Sequence, residues 1–130
     1  MILADTSIII DFWKNPTREK QEIFLKNEIA TCYVIKVELF HGAKNDSEKK
    51  KIENGLHELT LLPINDRVWE CLGEIIYKLK KKGLTVPFQD GLITAVSIEH
   101  NSQLWSLDKH FFKMGEILNE LKLFKPEFQS

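Results

Sequence analysis

No stretch of this sequence reaches the roughly eighteen apolar residues in a row that a membrane-crossing helix requires, so no membrane partner is expected. The start lacks a basic segment, and Asp5 and Asp11 interrupt its apolar residues. A leader peptide is therefore not expected there, and a cytoplasmic location is. Cysteine is scarce: Cys32 and Cys71 lie in separate apolar stretches and form no C-x-x-C pair, which predicts two buried, reduced thiols. His41, His57, His100 and His110 show no metal-ligand spacing to one another. Internal repeats and low-complexity tails are missing. So is an excess of charge of one sign, since the net charge is −1. An overall polycation is excluded. With four acids set aside for one site, however, the balance is +3, which suits a metal-filled site approaching a polyanion.

What is present fits an ordinary globular chain. The 130 residues are 43% hydrophobic and 28% charged, enough for one domain over residues 1–130 with a real core. The chain opens with Ile2-Leu3-Ala4-Asp5-Thr6-Ser7-Ile8-Ile9-Ile10-Asp11. Here a buried strand over 2–4 ends at Asp5, and Thr6 or Ser7 caps a helix beginning near Ile8. Ligands collect at the carboxyl ends of strands in open parallel sheets, so Asp5 is well placed for chemistry.

Further along, Thr17 can cap a charged helix over 18–27 that turns Ile23 and Phe24 inward. A short strand over 28–32 precedes a helix from Tyr33 to about Gly42, with Val34, Val37 and the Leu39-Phe40 pair on or near its apolar face. A lysine- and glutamate-rich helix covers 48–58. Leu59 to Ile64 is apolar, and Pro63 marks an edge strand or a strand end. Asn65-Asp66 caps a long helix ending near Gly83. A loop over 84–89 leads to a helix that starts at Asp90, and a strand over 104–107 leads to Asp108. A helical turn over 109–114 and a final strand around Leu121, Leu123 and Phe124 complete the chain. Strands alternate with helices, so the expected class is α/β: three α/β/α layers around a mostly parallel sheet. The lysine runs 49–51 and 80–82 read as solvated helix faces. Trp69 and Trp105 read as core, while Trp13 with Phe12 could form a groove for a second copy or another partner.

Four acids stand out. Asp5 and Asp108 each follow a strand, Glu38 lies in an otherwise apolar helix, and Asp90 opens a helix of small or apolar residues. Each taken singly has an ordinary reading as a cap, a turn acid or a surface group. Together, strand ends and helix starts place all four at one edge of the sheet. Two carboxylates about 4 Å apart repel by roughly 1 kcal/mol in water and about 4 kcal/mol at an intermediate dielectric. Several such pairs would consume much of a typical stability of about 5–15 kcal/mol. Protons or cations must relieve them, and hard oxygen ligands favour Mg²⁺ or Mn²⁺ over zinc.

Four motifs carry a resemblance: Asp5-Thr6-Ser7, Glu38-Leu39-Phe40-His41-Gly42-Ala43, Asp90 before Ile93-Thr94-Ala95, and Ser106-Leu107-Asp108-Lys109-His110-Phe111. In order and spacing they resemble the PIN domain, and more narrowly the VapC-type toxins of bacterial and archaeal toxin–antitoxin pairs. The likeness runs from residue 1 to about residue 112. It implies a PIN-like fold and a metal-dependent endoribonuclease that uses Mg²⁺ or Mn²⁺ and a metal-activated water to cut structured or single-stranded RNA, with tRNA a candidate substrate. It also implies a homodimer silenced by a small cognate antitoxin. Asp5, Glu38, Asp90 and Asp108 match the acidic, metal-binding quartet, and Thr6, Ser7 and Ser106 match supporting hydroxyl positions. Lys109 and His110 are candidate RNA contacts, with a surface role the plainer reading of His110. Ser106 replaces the more usual threonine, Cys32 stands where serine commonly starts the Glu38 helix, and Gly91 follows Asp90 where a larger residue is common. Gly91 is expected to loosen the start of its helix. The other readings are a catalytically silent PIN-fold module that binds RNA or protein, and a phosphoryl-transfer enzyme with Asp5 as nucleophile. The last lacks the second aspartate two residues on that haloacid dehalogenase-like phosphatases show.

Overall fold

The computed structural model describes residues 1–127. Four short strands, β1 (Ile2–Ala4), β2 (Ile29–Thr31), β3 (Thr60–Leu61) and β4 (Gln103–Trp105), form an all-parallel sheet in the order β3-β2-β1-β4. β1 and β2 are buried along their whole length, which is why neither alternates apolar with charged residues. β3 is the half-exposed edge strand, consistent with Pro63 two residues beyond it.

Seven helices flank the sheet among the described residues: α1 (Thr6–Lys14), α2 (Arg18–Lys26), α3 (Tyr33–His41), α4 (Asp46–His57), α5 (Asp66–Lys81), α6 (Phe88–Glu99) and α7 (Lys109–Ile117). Side-chain caps set several starts. Thr17 accepts from the Lys20 amide, Asn45 from Glu48 and Asn65 from Val68. On α5, Val68, Leu72, Ile75 and Leu79 recur at helical spacing and are buried. Gly83 ends that run with a φ of +82°, a conformation that suits a residue without a side chain.

The chain steps from β1 to β2 to β3 in one direction and then returns past β1 to β4. β1 and β4 are thus neighbours whose connections run opposite ways, and a crevice opens outside the carboxyl ends of such a pair. The Asp5 amide donates to the Trp105 carbonyl at 3.0 Å, so the two strand ends stay joined at that point.

Several expectations need correcting. Helix α1 begins at Thr6 rather than near Ile8, because Asp5 itself is the cap and accepts from the Ile8 amide. Helix α6 begins at Phe88, just after Pro87, so Asp90 lies inside its first turn instead of opening it. The helical turn at 109–114 extends to Ile117. The expected last strand is a single parallel bridge between Leu123 and Leu104. Val37 is 64% exposed, and Ile35 and Leu39 fill the inner face of α3 instead. Trp69, expected in the core, is 48% exposed on α5 beside Phe88. Trp105 is buried as expected, packed edge-on against Phe124. Cys32 is buried, but Cys71 is only half-buried, with its thiol pushed up to about 11, first by burial and then by Glu99 and Glu120. Among the described residues, no helix is long and apolar enough to cross a membrane.

Candidate active site

The crevice at the ends of β1 and β4 is built around Asp5, which is buried, with 4% of its surface exposed. Its Oδ1 accepts from the Ser7 hydroxyl at 2.6 Å and the Ile8 amide at 3.2 Å, and its Oδ2 accepts from the Ser106 hydroxyl at 2.6 Å. Burial pushes the Asp5 carboxyl above its usual range, and these donors pull it part of the way back. Both oxygens therefore have hydrogen-bond partners, and a buried carboxylate is tolerable on those terms.

Ser106 links this acid to the next. Its oxygen also accepts from the Asp108 amide at 2.9 Å, so a single hydroxyl orients Asp5 and fixes the turn that carries Asp108. Ser7 closes the loop from the other side by accepting from the Leu107 amide at 3.0 Å. Asp108 caps α7 and accepts from the His110 amide at 2.9 Å. Glu38, projecting from α3, accepts the Thr6 hydroxyl at 2.8 Å. Cys32 caps α3 by position alone and makes no side-chain bond there, as expected of a thiol where a hydroxyl would serve better.

Asp90 comes from α6. Its carboxyl is pushed upward by burial first, then by the charges of Asp108, Glu38 and Asp5, with His110 acting in the opposite sense. Three acids from separate parts of the chain thus lie close enough for their charges to bear on Asp90. The carboxylates do not form one symmetric knot. Asp5 and Glu38 are held by hydroxyls, whereas Asp90, Asp108 and His110 offer donor atoms that all lie within 4.8 Å of one another. His110 Nδ1 is 3.1 Å from Asp90 Oδ2 and 3.2 Å from Asp108 Oδ1. Such a set could hold a cation.

His110 is the residue whose place the sequence understated. It is half-exposed, but its ring nitrogen faces the acids. The available signal was the spacing Asp108-x-His110 at a strand-to-helix junction, where the cap and the second helical residue share one end of the helix. Lys109, its neighbour, is exposed. Trp13 is 41% exposed and lines a groove with Ile10, Leu39 and Ile52 that reaches Glu38. Phe12 turns away from it to stack on Phe24, with ring centroids 4.1 Å apart.

Among curated proteins, no sequence matches significantly. Solved structures do. A chain of VapBC2 from Rickettsia felis, bound to a promoter DNA fragment, has a TM-score of 0.82 at 24% identity and covers 98% of this chain and 100% of its own. DNA-bound VapBC from Salmonella typhimurium gives 0.81 at 19%, covering 95% and 96%. VapBC-1 from nontypeable Haemophilus influenzae gives 0.79 at 21%, covering 96% and 98%. Similarity at this level of identity speaks to the fold. Residues 2–117 match the PIN domain itself, a span that takes in every strand and helix among the described residues and all four acids; the chain belongs to the PIN-domain family.

Proposed function

We propose that this protein is a metal-dependent endoribonuclease and the toxin of a VapBC-type toxin–antitoxin pair. The observation that carries the reading is the approach of Asp90, Asp108 and His110 donor atoms beside a buried Asp5 whose hydroxyl partners hold it rigid. An acid cluster of this kind has no stabilising purpose of its own. The charges of Asp108, Glu38 and Asp5 all disfavour an ionised Asp90, and a divalent cation removes that cost.

The residues fit such an ion. His110 Nδ1 is shut off from solvent and has no hydrogen-bond partner, so a donor atom waits beside two carboxylates. Asp90, Asp108 and His110 would hold the ion, with Asp5 and Glu38 adding negative charge close by. When bound, a divalent cation acidifies a water and stabilises charge on phosphate oxygens. The protein's part is positioning. Ser7 and Ser106 fix the Asp5 carboxylate, Thr6 fixes Glu38, and the α7 cap fixes Asp108. Lys109, exposed at the start of α7, is available to an RNA phosphate. The groove at Trp13, rimmed by Lys14, Lys44 and Lys51, would receive a segment of the antitoxin. The comparison structures of VapBC assemblies support that partnership.

The test is cleavage of a labelled RNA by purified protein in Mn²⁺ or Mg²⁺, in chelator, and with Asp5→Asn. Cleavage that needs the metal and falls at least about 100-fold in the variant is expected. RNA binding without metal-dependent cleavage would instead favour a silent binding module.

A further inference from the structure

We infer that His110 Nδ1 is itself a ligand of the divalent ion, with Asp90 and Asp108, and that this nitrogen makes the centre prefer a transition ion such as Mn²⁺ to Mg²⁺. The inference rests on the metal-dependent reading above and gives it a chemical identity.

The first argument is spacing. Two neighbouring ligands of an octahedral ion with bonds of about 2.1 Å lie about 3.0 Å apart. His110 Nδ1 sits 3.1 Å from Asp90 Oδ2 and 3.2 Å from Asp108 Oδ1, close to that edge length on both sides. The second is satisfaction. Despite these approaches the nitrogen makes no hydrogen bond, and water cannot reach it although the rest of the ring is half-exposed. A buried ring nitrogen at ion-pair distance from two carboxylates, with hydrogen-bond geometry to neither, is placed to share a cation with them. The third is the state of the other acids. Asp5 has both oxygens occupied by Ser7, Ile8 and Ser106, and Glu38 Oε1 holds the Thr6 hydroxyl. Asp108 Oδ1 also accepts from the His110 amide, and the donor atoms that come together around this nitrogen are mixed, two carboxylates and one imidazole.

Donor chemistry then decides the metal. Carboxylates serve Mg²⁺ and Mn²⁺ alike, but an imidazole nitrogen favours first-row transition ions, whereas Mg²⁺ keeps to oxygen. The three ligands also come from one rigid corner. Asp90 lies in the first turn of α6, and Asp108 and His110 sit at the cap and second residue of α7, which packs on α6. The Asp108 cap holds the His110 backbone amide, which anchors the base of that side chain at this corner.

The experiment loads the full chain with Mn²⁺ and reads nitrogen coupling to the ion by pulsed electron paramagnetic resonance. Mn²⁺ affinity is titrated in parallel, alone and against Mg²⁺. Wild type should show a single imidazole nitrogen coupled to the ion, and His110→Ala should lose it. The ratio of Mn²⁺ to Mg²⁺ affinity should fall at least about tenfold in the variant. His110→Gln, which keeps a polar side chain at the site, should lose the coupling in the same way and guards against a folding defect in the alanine form. Asp90-dependent Mn²⁺ binding without nitrogen coupling would overturn the inference and leave the ribonuclease reading standing. Coupling that survives in both variants would overturn it too. Absence of any Asp90-dependent Mn²⁺ binding would overturn both.

Discussion

At the scale of single residues, Ser106 does two things with one oxygen. It donates to Asp5 and accepts from the backbone of Asp108, so its loss frees an acid on one side and a turn on the other. Ser106→Ala should lower metal-dependent cleavage by about 10–100-fold, as loss of a group that orients ligands usually does. Ser106→Thr, which keeps the hydroxyl, should restore most of it, and comparing the two rates on one labelled RNA checks the point. Asp90 permits a second prediction. Burial and neighbouring acids raise its carboxyl above the ordinary 3.8, and burial raises Asp5. A carboxyl raised in the folded state supports folding fully below its unfolded value and withdraws that support as pH rises through the folded one. In chelator, wild type should therefore gain stability as pH falls from 7 toward 4, and Asp90→Asn should gain less. At pH 7 the variant should melt at the same temperature as wild type or higher; a clearly lower melting temperature would contradict the repulsion argument. All four acids were legible in the sequence as acids in apolar company. The aim of the His110 ring was not, because no spacing in the chain encodes a side-chain rotamer.

At the scale of elements, Gly91 has a packing role beside the effect on its helix that the sequence suggests. A glycine after Asp90 suggests a loosened helix start. In the fold it is buried where α6 meets α5, and an added Cβ would lie 3.2 Å from Leu72 Cδ1 and 3.5 Å from Ile76 Cδ1. The missing side chain allows close packing of the two helices and holds Asp90 at its depth. Gly91→Ala should be nearly neutral, since about 1 kcal/mol of helix propensity offsets a small shift of the Leu72 tip. Gly91→Leu should cost about 1–3 kcal/mol by overpacking and impair cleavage as well, which urea denaturation and an RNA assay together can read. The caps at Thr17 and Asn65 were readable because a side-chain oxygen before a periodic run has one common use. The starts of α1 and α6 were misplaced because Asp5 and Pro87 competed for the role with better-known signals, the hydroxyls of Thr6 and Ser7 and the charge of Asp90. The Leu121–Phe124 cluster has the composition of a strand, but it contributes one bridge to β4.

At the scale of the whole molecule, the alternation of strands and helices was enough to give the class, and an all-parallel sheet followed. Strand order was beyond the sequence, since it depends on which connection reverses. That order is what makes β1 and β4 neighbours and brings Asp5 beside Ser106, 101 residues away. The exposed faces were less legible, as Trp69 and Val37 show, because an apolar residue on a helix does not say whether its own chain covers it. The central claim is that the converging acids exist to share a divalent ion. The most direct measurement is the thermal unfolding of wild type and Asp90→Asn in chelator and in saturating Mn²⁺. An ion held only by the folded state stabilises by mass action, about 2.7 kcal/mol at a free concentration one hundred times its dissociation constant. Wild type should rise clearly in melting temperature with Mn²⁺ and the variant should rise much less; an equal rise in both, or none in either, would contradict the account.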